Sequence, residues 1–202
     1  MSISQKPERA IDPRIERTRR VVRQAALSEL GEVGYGAFTI ESVAARSGVA
    51  KSTIYRHWQG RLALIADALE TLNRQPDPDP DPEHGGPRDR ITQLVRHLAA
   101  AFLDSDLSAC IPALIDAAER DPDVRRFLHG YNTRRRRALV AAIAEGCANG
   151  DLREDLDPEL AATALAGAIV YRRVMTDQPF DPAQVPALIS SVLGQTPRSS
   201  IN

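Results

Sequence analysis

A chain of 202 residues with 43% hydrophobic side chains is long enough for a small domain fused to a larger one, and with 4% aromatics its core is aliphatic. No run approaches the ~18 apolar residues of a membrane span and the charged N-terminus has no apolar signal core, so a cytoplasmic protein without a membrane partner is expected. The net charge of −1 argues against a nucleic-acid protein only until it is divided: residues 1–74 carry 12 Lys and Arg against 8 Asp and Glu, net +4, and the rest 14 against 19, net −5.

Residues 1–13 are polar, hold Pro7 and Pro13, show no periodicity, and read as a disordered arm. From Arg14 a helix runs to about Val33, with Val22, Ala25, Ala26, Leu30 and Val33 spaced three and four apart on one side. The segment TIESVAARSGVAKSTIYRHW, Thr39 to Trp58, then reads as two short helices joined by a tight turn at Gly48. Thr39 is placed to cap the first of them, with Ser42 where a capping box has Glu, and Val43 and Ala44 face inward. Val49 plugs the corner. The second short helix starts at Lys51 with Ile54 and Trp58 inward and Ser52, Thr53 and Arg56 outward. Its cap position holds Ala50, which has no side-chain acceptor, and the amides left uncapped there are expected to meet a DNA phosphate. After Gly60, Leu62, Leu64, Ile65, Ala68, Leu69 and Leu72 mark a fourth helix to about Asn73.

Taken together, the Gly34-Tyr35 pair, Thr39, the Gly48 turn and the closing Ile54-Tyr55-Arg56-His57-Trp58 resemble the N-terminal helix-turn-helix domain of the TetR family of transcriptional regulators, over roughly Arg14 to Asn73. A recognition helix reads base edges with the residues near its start, which makes Ser52, Thr53 and Arg56 the candidates for base contact, Arg56 by a bidentate grip on guanine. The resemblance adds Thr39, Lys51, Tyr55 and His57 as backbone contacts, with Tyr55 also able to lie on a sugar or thymine methyl, and Arg61 as a phosphate-gripping base. Tyr35 is expected to pack at the helix corner. Lys51 stands out because only it and Lys6 are lysines among 26 basic residues.

Residues 75–88, within QPDPDPDPEHGGPRDR, alternate Pro and Asp and read as an extended linker. Beyond it, helices are expected over Asp89–Ser105, Ser108–Arg120, Pro122–Asn149, Pro158–Thr176 and Pro182–Gly194, followed by a disordered tail from residue 196. Asp121-Pro122, Asp157-Pro158 and Asp181-Pro182 each pair a capping Asp with Pro at the first helical position. With no alternating strand pattern, the fold class is all-α: a three-helix head within residues 14–74 and a helical body over residues 89–195, about nine helices in all. Cys110 and Cys147 lie in these helices without CxxC or Cys/His spacing and read as buried thiols.

The run Arg134 to Arg137 sweeps round a helix rather than along one face, so it is expected to be partly solvated and partly paired with Asp116, Glu119 or Asp123; the lesser alternative is that one arginine enters a ligand pocket to meet a carboxylate. The two C-terminal helices carry apolar residues on more than one face, among them Ala164, Leu165, Ala168, Ile169 and Val192. The resemblance implies that they pair with those of a second subunit, giving a homodimer that binds a palindromic operator in double-stranded DNA and is released by a small-molecule inducer. The scarcity of aromatics favours an aliphatic or acyl inducer. A helix-turn-helix regulator controlled by a partner or by no ligand is the alternative. An α-helical enzyme is remote, since His84, His97 and His129 stand without HExxH or cysteine partners; no catalytic residue, metal or cofactor is expected.

Overall fold

A computed structural model describes residues 13–72, 86–103 and 106–194. The readings of an arm, a linker, a tail and the helix ends at Asn73 and Ser105 fall outside these residues, as do Lys6 and His84. At two edges the structure corrects them. Pro13 and Pro87, assigned to arm and linker, begin helices instead, where a proline's missing amide and fixed φ cost nothing.

Among the described residues the fold is all-α, with nine α-helices and one 3-10 turn. The chain divides into two compact units, Met1–Leu69 and Glu70–Asn202. The first contains α1 (Pro13–Ala37), α2 (Ile40–Ser47), α3 (Lys51–His57) and most of α4 (Arg61–Leu72). Its core is mainly aliphatic, with Val22, Leu27 and Leu30 of α1, Val43 of α2, Ile54 of α3, and Leu64, Ile65 and Leu69 of α4 fully enclosed. Val33, expected on the buried side of α1, is 43% exposed. Just beyond it α1 breaks at Gly34 (φ 73°, ψ 171°), a backbone that only glycine adopts without strain, and Tyr35 and Phe38 after the break are buried.

The second unit is built around α7 (Pro122–Ala148), which packs against α5 (Pro87–Leu103), α6 (Asp106–Arg120) and α8 (Pro158–Met175). The 3-10 turn Pro182–Gln184 leads into α9 (Val185–Leu193), which lies on α5 and α8. All three Asp-Pro starts behave as caps. Asp121 accepts from the amides of Asp123 and Val124, Asp157 from Glu159 and Leu160, and Asp181 from Ala183, each at about the 1 kcal/mol such a cap contributes. Cys110 is buried, whereas Cys147 is only half-buried, because it sits in the last turn of α7. No single helix among the described residues is long and apolar enough to cross a membrane.

Candidate nucleic-acid interface

The turn between α2 and α3 is built by side chains close in sequence. Thr39 Oγ1 accepts from the Ser42 amide (3.0 Å) and Ser42 Oγ from the Thr39 amide (3.4 Å), so Ser completes the capping box in the place of Glu. Gly48 ends α2 in the left-handed region (φ 69°), its amide donating to the Ala44 carbonyl (3.0 Å). Two residues later Ala50 caps α3 with no side-chain hydrogen bond.

On α3, Ile54 and the capping Trp58 are buried, while Lys51, Ser52, Tyr55 and Arg56 are exposed. These four lie one and four residues apart and form a continuous outward face. Thr53, expected to point outward with Ser52 and Arg56, is half-buried on the flank of that face, and so is His57, whose ring meets the edge of Trp58 at 5.6 Å. The outward position falls to Tyr55, 52% exposed. Thr39 is also exposed, its hydroxyl engaged in the cap.

Two of the cations in this region have partners. Lys51 Nζ lies 3.3 Å from Glu41 Oε1 of α2, both exposed. The Glu41 carboxyl is held below its usual range, first by a hydrogen bond from its own backbone amide and then by Lys51. Arg61 donates to the Tyr35 carbonyl (3.2 Å) with its guanidinium 4.1 Å from the centre of the Tyr35 ring. Arg61 thus holds the α1 corner with one of the five N–H groups a guanidinium carries. Tyr35 is buried, as expected of a corner residue.

Sequence reasoning missed the group that fixes the orientation of this face. Asp67 of α4 accepts from Trp58 Nε1 (2.8 Å), from Arg23 Nε (2.8 Å) and Nη2 (3.3 Å), and from Arg19 Nη2 (3.2 Å). Arg19 also lies 5.8 Å from the Trp58 ring centre. One carboxylate therefore ties α1 and α4 to the residue that ends α3. Burial works to raise its pKa, but the hydrogen bonds from Arg23 and Trp58 and the charge of Arg23 outweigh that and hold it below the usual carboxylate range. The available signal was an acid set inside the apolar run of α4, one turn from Leu64 and beside Ala68. A second clasp joins α2 to α1, where Arg46 Nε lies 3.0 Å from Glu29, the one buried acid among the described residues.

In the second unit, the arginine run pairs differently from the expectation. Arg134 bonds to Glu70, Arg136 Nη2 lies 3.1 Å from Glu159, and Arg135 donates to the Tyr131 hydroxyl (3.2 Å) with its guanidinium 5.6 Å from that ring. The expected partners serve closer arginines: Asp116 pairs with Arg120, Glu119 with Arg125 and Asp123 with Arg126. Sequence proximity suggested partners one helix away, whereas the helix packing brings in residues from 23 and 64 positions off. Arg135 and Arg136 open onto a cavity of about 280 Å³ between α5, α6, α7 and α8.

Comparison with known proteins agrees with this architecture at both ends of the chain. Residues 22–68 match the family described as bacterial regulatory proteins, tetR family, and residues 81–192 match the tetracyclin repressor-like C-terminal domain. An uncharacterised HTH-type transcriptional regulator, YdeS of Bacillus subtilis, is 32% identical over 88% of this chain and 88% of its own. Among solved structures, Salmonella enterica GusR (20% identity, TM-score 0.73) is covered over its whole length by 93% of this chain. FadR from Bacillus subtilis in complex with stearoyl-CoA (21% identity, TM-score 0.69) is covered to 98% by 87% of this chain, and both structures share the fold. With one domain matched to each unit, the chain belongs to the TetR family of bacterial transcriptional regulators.

Proposed function

We propose that the protein is a cytoplasmic, ligand-released repressor that binds a palindromic operator as a homodimer, reading bases with Ser52 and Arg56. The observation that carries this reading is the outward face of α3, where four polar or cationic side chains stand together on a helix held from behind by Ile54 and Trp58. Arg56 reads guanine. Thr53 adds a contact from the flank, and Tyr55 lies against a sugar or thymine methyl. Thr39, Lys51 and His57 hold phosphates, joined by Arg61 through the N–H groups that the Tyr35 carbonyl does not use. The cavity in the second unit supports control by a small molecule: FadR, similar in fold, holds stearoyl-CoA. The proposed dimer surface lies on α8, whose Leu160, Tyr171 and Met175 are 60–67% exposed on one stripe with Ala164 and Gly167.

The test is a mobility shift on the DNA upstream of the protein's own gene, with Arg56→Ala beside the wild type and salt varied. Removing a bidentate contact is expected to cost about 1–3 kcal/mol, a loss of roughly 5- to 150-fold confined to the specific site. Specific binding retained by Lys51→Ala and Arg56→Ala together would refute the assignment.

Glu41 supplies a second expectation. It competes with phosphate for Lys51, so Glu41→Gln is expected to tighten binding to random-sequence DNA several-fold and to steepen the dependence of log K on log salt by up to about one unit. Fluorescence anisotropy over a salt series measures both. An unchanged slope would mean that Lys51 does not meet the backbone.

A further inference from the structure

The cavity between α5, α6, α7 and α8 is lined by both apolar and polar side chains. Its apolar lining comes from Leu94, Leu98, Phe102, Ile111, Leu139 and Val170. Its polar lining gathers His97 of α5, Asn132, Arg135 and Arg136 of α7, and Thr163 of α8. The described lining residues include two arginines and a histidine and no carboxylate.

His97 Nε2 is shut off from solvent and has no hydrogen-bond partner among the described residues. A buried polar atom without a partner is costly unless something bonds to it, and a polar occupant of the cavity is the natural source. Burial, and then the charge of Arg135, push the His97 pKa down, so at neutral pH it is an uncharged imidazole able to offer one N–H. Arg135 supplies the charge. Its guanidinium is turned against Tyr131, on the same helix, by the hydrogen bond and ring contact already described.

We propose that this cavity takes a small amphipathic organic monoanion, its carboxylate against Arg135 and His97 and its hydrocarbon body among the apolar lining side chains; this rests on the reading of the protein as a ligand-released repressor. A cation is disfavoured by the two arginines and the absence of an acid in the lining. A neutral apolar guest would strip water from Arg135 and leave His97 Nε2 unbonded, each a cost with no return. A dianion is disfavoured because Glu159, 3.1 Å from Arg136, offsets one of the two arginine charges. Size sets the remaining limit. About 280 Å³ lies just below the roughly 300–1,000 Å³ usual for small-molecule sites. At about 30 Å³ for each water-sized group it admits on the order of ten non-hydrogen atoms, the size of a medium-chain or phenyl-substituted carboxylic acid.

The test uses the full chain and three matched sets of probes: hexanoate, octanoate and 3-phenylpropanoate, the corresponding amides, and the corresponding amines. Binding is read by isothermal titration and thermal shift, and operator release by anisotropy on labelled operator. At least one carboxylate is expected to bind tenfold or more tighter than its amide and amine. Arg135→Gln is expected to abolish that preference and Arg135→Lys to keep part of it; the charge series on the wild type stands even if a variant misfolds. Equal affinity for acid and amide, or no binding by any probe at millimolar concentration, would overturn the proposal. Tight carboxylate binding with unchanged operator affinity would sustain the site and overturn the reading of the protein as ligand-released.

Discussion

Asp67→Ala is expected to unfold the N-terminal unit well below the wild-type temperature. The substitution removes the shared acceptor of Trp58 Nε1, Arg23 and Arg19 in one step. It leaves two guanidiniums facing each other, with Arg23 retaining Glu16 at 2.8 Å and Arg19 retaining only its stacking on Trp58. Breaking one side of a buried pair costs about 3–5 kcal/mol, and because the Asp67 side chain stays 27% exposed the expected loss is nearer 2–3 kcal/mol. For a unit of this size that is a fall of about 10–20 °C in midpoint. Trp58 is the only tryptophan in the chain and touches Asp67 directly, so intrinsic fluorescence reports the unfolding of this unit. A wild-type midpoint in Asp67→Ala would show that the cluster does not hold the head.

The same carboxylate makes a pH signature. Its folded pKa lies below the value of about 3.9 in the unfolded chain, so its contribution is complete at neutral pH and is lost as pH falls through that value toward the folded one. Asp67→Asn is therefore expected to be less stable than wild type at pH 7, with the gap narrowing from about pH 5 downward. Urea unfolding followed through Trp58 at pH 7, 5 and 3 measures it.

The contrast between Asp67 and the helix starts shows what could be read in the sequence. Asp121, Asp157 and Asp181 act on amides two or three residues away, so a dipeptide carries the whole interaction. The Thr39-Ser42 box and the Gly48 turn are equally local, and so the helix-turn-helix and its outward residues could be read from spacing. Asp67 meets Arg19 and Arg23 across 48 and 44 residues, and which of several arginines reaches it depends on how α1 and α4 cross. The pairing of Arg134 with Glu70 and of Arg136 with Glu159 was hidden for the same reason. Thr53 marks a finer limit. Spacing alone places it outward, whereas on the seven-residue α3 Thr53 is half-buried and Tyr55 is exposed, because burial depends on what packs beside so short a helix and not on its own spacing. The cavity was the least legible part, since its lining is drawn from four helices and no single one of them shows its shape.

Disrupting the α8 stripe is expected to have the largest effect on operator affinity. Leu160, Ala164, Gly167, Tyr171 and Met175 recur every three or four residues on one exposed face, with Ala168, Arg172 and Phe180 beside Gly167 and Tyr171 in a shallow groove. Three large apolar side chains exposed on one stripe are what a self-complementary interface uses, and a glycine and an alanine at its middle let two helices cross closely. A Cβ at Gly167 meets nothing within 4 Å in the folded chain, so Gly167→Glu is tolerated by the monomer and places a charge where a second copy would sit. The variant is expected to sediment as a monomer with its helical signal intact. Operator affinity then falls by about 10²- to 10⁴-fold, because the second head no longer binds as an intramolecular event. Gly167 also lines the cavity, so Tyr171→Asp, which does not line it, must give the same result for the loss to belong to the dimer. A dimer retained by both variants would place the interface elsewhere. If both dissociate, Gly167 belongs at once to the wall of the cavity and to the interface.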